Sequence, residues 1–77
     1  MPRYFLDIHD GRFILDDIGS DLADLTEVRA EVKRVLGDLV RHLDFEDDPY
    51  RLRIDVRDAD GRRVLTGRLV MVVEDAV

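Results

Sequence analysis

The dipeptide Asp10-Gly11 lies between two runs in which apolar side chains alternate with polar ones, and this constrains the chain more than any other feature. In residues 3–9, Tyr4, Leu6 and Ile8 share one face and Arg3, Phe5, Asp7 and His9 the other, the period of a half-buried strand. Asp-Gly supports the positive backbone angles of a type I′ turn. Read as a two-residue loop, it pairs His9 with Arg12, Ile8 with Phe13 and Leu6 with Leu15. A slip of one residue would send Phe13 and Leu15 to the opposite face. The chain is expected to open with a hairpin over 3–15.

A polar connection through Asp16, Asp17, Gly19, Ser20 and Asp21 leads to one helix. Asp24 and Glu27 have capping-box spacing, and acidic residues suit a helix N-terminus. Apolar residues recur at Leu25, Val28, Val32, Val35, Leu36, Leu39, Val40 and Leu43, one buried stripe at three-and-four spacing, so the helix is expected at about 25–43. Glu31, Arg34, Asp38 and Arg41 can pair along its wet side. Gly37 lowers helix propensity, which suggests close approach of the helix to the sheet there.

After an acidic stretch from Asp44 to Asp48, Pro49 restarts the chain in extended form. Tyr50, Leu52, Ile54 and Val56 alternate with Arg51, Arg53, Asp55 and Arg57, and Asp58-Ala59-Asp60-Gly61 reads as a four-residue turn. That turn pairs Arg57 with Arg62, Ile54 with Leu65, Leu52 with Gly67 and Tyr50 with Leu69, closing a second hairpin over 50–74. The expected fold is a single α+β domain over 1–77, ββαββ, with a four-stranded, mainly antiparallel sheet and one helix packed on one face. The first and last strands carry apolar residues on both faces, which favours them as the central pair.

One helix covers one face, leaving Phe5, Ile14, Val64, Val70 and Val72 on the other in these registers. Residues 69–73 are apolar without interruption. A chain of 77 residues draws only about 3–5 kcal/mol from its own core, so this face is read as a candidate interface for a second copy, as a homodimer, or for a small protein partner. Arg51, Arg53 and Arg68, with Arg57 and Arg62, share that face, where a partner's carboxylates are their natural counterparts.

The net charge of -6 suits a basic partner surface and disfavours nucleic acid or an anionic membrane. Nor is there aromatic interleaving among the arginines. No apolar run approaches a membrane span and no apolar signal segment follows Met1, so the chain is read as soluble and cytoplasmic. The absence of cysteine excludes disulfides, thiolate metal sites and Cys nucleophiles.

His9, with Asp7, Asp10, Asp16 and Asp17 nearby, is the one conceivable divalent-metal cluster. Asp10, however, has a sufficient role in the turn, and no metal or other cofactor is assigned. Ser20, Thr26 and Thr66 are the hydroxyl nucleophiles available, and none has a spaced partner to activate it. His42 suits the negative end of the helix. No catalytic residue is assigned. The expected function is that of a non-catalytic interaction module, self-associating or partner-binding through the open sheet face; a metal-dependent enzyme using His9 and its neighbouring carboxylates is the third reading.

Eleven of the twelve basic residues are Arg, Asp outnumbers Glu 14 to 4, and Asn and Gln are missing, a usage that fits a GC-rich genome. Met1-Pro2-Arg3-Tyr4-Phe5, Asp7-Ile8-His9-Asp10-Gly11, Asp16-Asp17 with Gly19, Asp24-Leu25 and Val56-Arg57-Asp58 together resemble a family of short proteobacterial proteins known only as a domain of unknown function. Leu6 and Ile18 stand where that pattern has an aromatic and an acidic residue. The resemblance implies a ββαββ domain and brings no activity to carry over. A weaker similarity is to HicB-like antitoxins, which implies, as an alternative, an inhibitor of a small basic toxin; their Pro-Gly-Cys segment and DNA-binding extension are missing here.

Overall fold

A computed structural model describes residues 1–42 and 50–76. The acidic stretch 44–48, Pro49 and the expected helix end at Leu43 lie outside the described residues. The element order is β1 (Arg3–His9), β2 (Phe13–Ile14), β3 (Ser20–Asp21), α1 (Leu25–His42), β4 (Tyr50–Arg57) and β5 (Arg63–Met71). The helix packs against an open antiparallel sheet of order β2-β1-β4-β5, with β3 paired to the first residues of β1. Five strands therefore stand where four were expected, because Ser20 and Asp21, read as connection, pair with Tyr4 and Arg3.

The helix starts as its capping residues dictate. Asp24 Oδ1 accepts from the Glu27 N–H at 3.0 Å, and Glu27 Oε2 accepts from the Ala23 N–H at 2.7 Å, satisfying two otherwise orphaned donors. Val28, Val32 and Leu36 are buried against Leu6, Leu52, Ile54 and Val56, with Val35, Leu39 and Val40 packed around them. Leu25, placed in the stripe by periodicity, remains half exposed because it lies in the first turn.

Both hairpins depart from the expected registers, with different consequences. In the first, His9 pairs with Phe13 and Ile8 with Ile14, so Asp10, Gly11 and Arg12 form a three-residue loop with Gly11 at φ 98°. The slip of one residue turns Ile14 to the helix side, opposite to its expected place on the open face, and puts Phe13 beside His9, their ring centroids 4.7 Å apart. In the second hairpin the loop is one residue longer than expected, held by Asp58, whose Oδ1 accepts from the Asp60 and Arg62 N–H groups. A bulge at Val56/Arg57 shifts the ladder again, so that Ile54 pairs with Gly67, Leu52 with Leu69 and Tyr50 with Met71. Two shifts restore parity, and every expected core side chain of this hairpin keeps its face.

The central pair is β1 and β4, and β5 is an edge strand, contrary to the expectation from apolarity. The physical reason is that β4 carries charges on its open face that need partners on both flanks. Arg57 turns to Asp7 on β1, and Asp55 receives Thr66 from β5.

Candidate functional site

The face of the sheet away from the helix is built from alternate residues of β1, β4 and β5, and its centre is an ion-pair network rather than a uniform apolar patch. Asp7 is buried, and Arg57 meets it through Nε at 2.9 Å. Arg57 Nη2 also donates to the Asp16 carbonyl at 2.6 Å, and the guanidinium lies 4.6 Å above the centre of the Phe5 ring. Phe5, expected as an open anchor, is thus capped by its own sheet.

Asp16 ties the following loop to the same strand. Its Oδ2 accepts the Leu6 N–H at 2.9 Å, and its Oδ1 accepts those of Gly19 and Ile18 at 2.9 and 3.0 Å. Partial burial pushes its pKa up, but these backbone donors and the Arg57 charge outweigh burial and hold the carboxyl below the usual carboxylate range.

Next along β4, Asp55 is a hub. Thr66 Oγ1 donates to its Oδ1 at 2.9 Å, while His9 Nε2 and Arg53 Nε lie 3.2 and 3.4 Å from its Oδ2, and Arg63 Nη1 lies 3.7 Å from its Oδ1. Burial again raises the pKa. The Thr66 hydroxyl, Arg53, Arg63 and the His9 ring outweigh it, so the carboxyl is held low. A carboxylate held this way is a weak general base, and Thr66 gains no nucleophilic character from it.

Beyond Asp55 the face becomes cationic. Arg53 stands directly opposite Arg68, and Arg51 opposite Val70. These four residues, with His9 and Gly11, rim an open depression of about 320 Å³. Like charges directly opposed across a ladder repel, and Arg53 Nε is a buried donor with no hydrogen bond despite its proximity to Asp55. Among the described residues, Arg51 and Arg68 take part in no ion pair. The depression therefore holds two uncommitted guanidiniums and a third sharing an already crowded carboxylate.

Of the expected interface residues, the structure gathers Arg51, Arg53, Arg68 and Val70 at this depression. Val72 lies just beyond the end of β5 and Val64 sits at the bulge, both exposed; Ile14 is on the other face and Phe5 is covered. The suggested metal cluster does not assemble. Asp7 is engaged by Arg57, Asp10 Oδ1 accepts the Arg12 N–H within its turn, and His9 faces Asp55. Among the described residues, no group of three or more His, Asp or Glu side chains is placed to hold a metal ion, and no helix is long and apolar enough to cross a membrane. His42 sits at the helix end with Nδ1 2.8 Å from the Asp38 carbonyl, which places the ring proton on that nitrogen.

Sequence reasoning missed the Asp7, Arg57 and Asp16 cluster, whose members are 41 to 50 residues apart except within the hairpin. The available signal was an aspartate and an arginine facing outward on neighbouring strands.

Residues 3–70 match the family model for a domain of unknown function, DUF6894, and the chain belongs to that family. No curated protein and no solved structure matches the chain.

Proposed function

We propose that the chain is a non-catalytic interaction module that docks a carboxylate-bearing segment of another protein chain on the open face of its sheet, at the depression rimmed by Arg51, Arg53 and Arg68. One observation carries this reading: Arg53 and Arg68 oppose each other across the ladder with, among the described residues, a single nearby carboxylate, Asp55, already serving Thr66, His9 and Arg63. A partner's carboxylate between the two guanidiniums replaces repulsion with charge-assisted hydrogen bonds. Val70, 58% exposed at the rim, adds apolar area to bury. Nothing in this arrangement favours the antitoxin-like inhibitor.

A poly-L-glutamate peptide is a direct probe. It is expected to bind wild type, with an uncharged poly-glycine-serine peptide as the control, and the exposed pair Arg51→Glu with Arg68→Glu is expected to weaken binding about tenfold while leaving the circular dichroism spectrum unchanged. Equal affinity of wild type and this variant for the peptide would exclude the depression as the docking site.

A further inference from the structure

The two edges of this sheet are treated very differently. The outer edge of β1 is interrupted: β3 covers its start, β2 covers its end, and between them the Asp16 carboxylate takes the Leu6 N–H. Two-residue edge strands and a side-chain cap are what blunt a sheet against further pairing. At the other edge, β5 runs for nine residues with no neighbour on its outer side among the described residues. Its apolar run continues through Val72 and Val73, 52% and 69% exposed, past Met71, where its pairing with β4 ends. A long edge of this kind, charged within the strand only at Arg63 and Arg68 and apolar from Leu69 to Val73, is a template for another strand.

The sequence around Met71 identifies that strand. Resting on the docking reading above, we infer that the occupant is a second copy of this chain, paired antiparallel along β5 and its continuation about a two-fold axis at Met71. In this register Arg68 of each copy faces Glu74 of the other and Val70 faces Val72, all on the open face. On the helix side Leu69 faces Val73 and Met71 faces itself.

Neighbouring registers lose this match. Centring on Val70 sets Arg68 against Val72 and Glu74 against Thr66; centring on Val72 sets Arg68 against Ala76. A slip of one residue brings the helix side of one copy level with the open face of the other. The two-fold register gives one continuous sheet with both helices on the same side. It also brings Glu74 of the second copy to Arg68, supplying a carboxylate that no ion pair of Arg68 among the described residues provides.

Sedimentation equilibrium from micromolar to millimolar protein tests the pairing. Wild type is expected to dimerise. Arg68→Glu and Glu74→Arg are each expected to weaken the dimer about tenfold, since each makes two like-charged pairs, and the double exchange is expected to restore it. Arg68, Glu74 and Val72 are all exposed; Val72→Asp, which places a charge at the apolar centre, is expected to give a folded monomer and reads the edge independently. A wild type monomeric throughout this range would overturn the inference, and single exchanges without effect or a double exchange without rescue would overturn the register. Polyglutamate binding to the Val72→Asp monomer separates the two claims. Retained binding with no wild-type dimer leaves the docking reading standing alone, and an intact dimer with no binding removes that reading.

Discussion

Among single residues, two glycines behave oppositely. A Cβ placed on Gly67 would collide with Val32 Cγ1 and lie 3.4 Å from Leu36 Cδ1, so the helix rests directly on the backbone of β5 there. Val32 is β-branched and buried, with little freedom to yield. Gly67→Ala is therefore expected to destabilise the fold by about 1–3 kcal/mol. Gly37, in the helix interior, has among the described residues only the far end of Arg41 within 4 Å of an added Cβ, so Gly37→Ala is expected to stabilise by up to about 1 kcal/mol. Urea midpoints of the two variants measure both signs, and a shift in the same direction for both would contradict this packing. The sequence displays close approach through a glycine but not which one: the helical interruption drew the inference to Gly37, while the close contact falls on Gly67, whose place beneath Val32 depends on a register that a bulge decides.

For the elements, legibility followed side-chain parity. Residues 50–57 alternate strictly, so their faces were readable, and the two-residue shift in the second hairpin left those faces intact. Phe13, Ile14 and Leu15 are apolar in succession, and either register of the first hairpin offers a hydrophobic side chain to the core. The sequence alone does not choose between them. What holds that hairpin's far side is the Asp16 clamp, whose donors lie in β1 and in the loop at Ile18 and Gly19. Asp16 and Asp55 both have folded pKa values below their unfolded ones, so each contributes stability that is complete above the ordinary Asp value of about 3.9 and is lost as pH falls through it and on through the depressed folded value. Wild type is expected to hold a constant urea midpoint down to about pH 5 and to lose stability below about pH 4. Asp16→Asn is expected to lower stability at neutral pH by about 2 kcal/mol, because an amide N–H opposes a backbone donor, and to flatten the acid limb. An acid limb as steep as wild type's would show that the clamp carries none of it.

Across the whole molecule, charge and shape act together. The described residues extend 51 × 22 × 19 Å, and the full chain carries a net charge of -6. The arginines of the open face are therefore a local exception on an acidic body. At about 0.01 M salt the screening length, about 30 Å, exceeds both shorter dimensions, and at about 0.1 M it is only about 10 Å. At the lower salt an approaching carboxylate-rich segment is repelled by the entire net charge. At the higher salt it is governed by Arg51, Arg53 and Arg68 close at hand. Near 1 M, with screening at about 3 Å, those contacts weaken too. The affinity for polyglutamate is accordingly expected to pass through a maximum near 0.1 M rather than fall steadily from the lowest salt, and the dimer, whose two copies each carry -6, is expected to tighten over the same first interval. Titrations at about 0.01, 0.1 and 1 M sodium chloride, spanning those screening lengths, measure the profile. A monotonic decline would mean that the arginine face governs approach at every range, and that the acidic remainder of the molecule does not reach the partner.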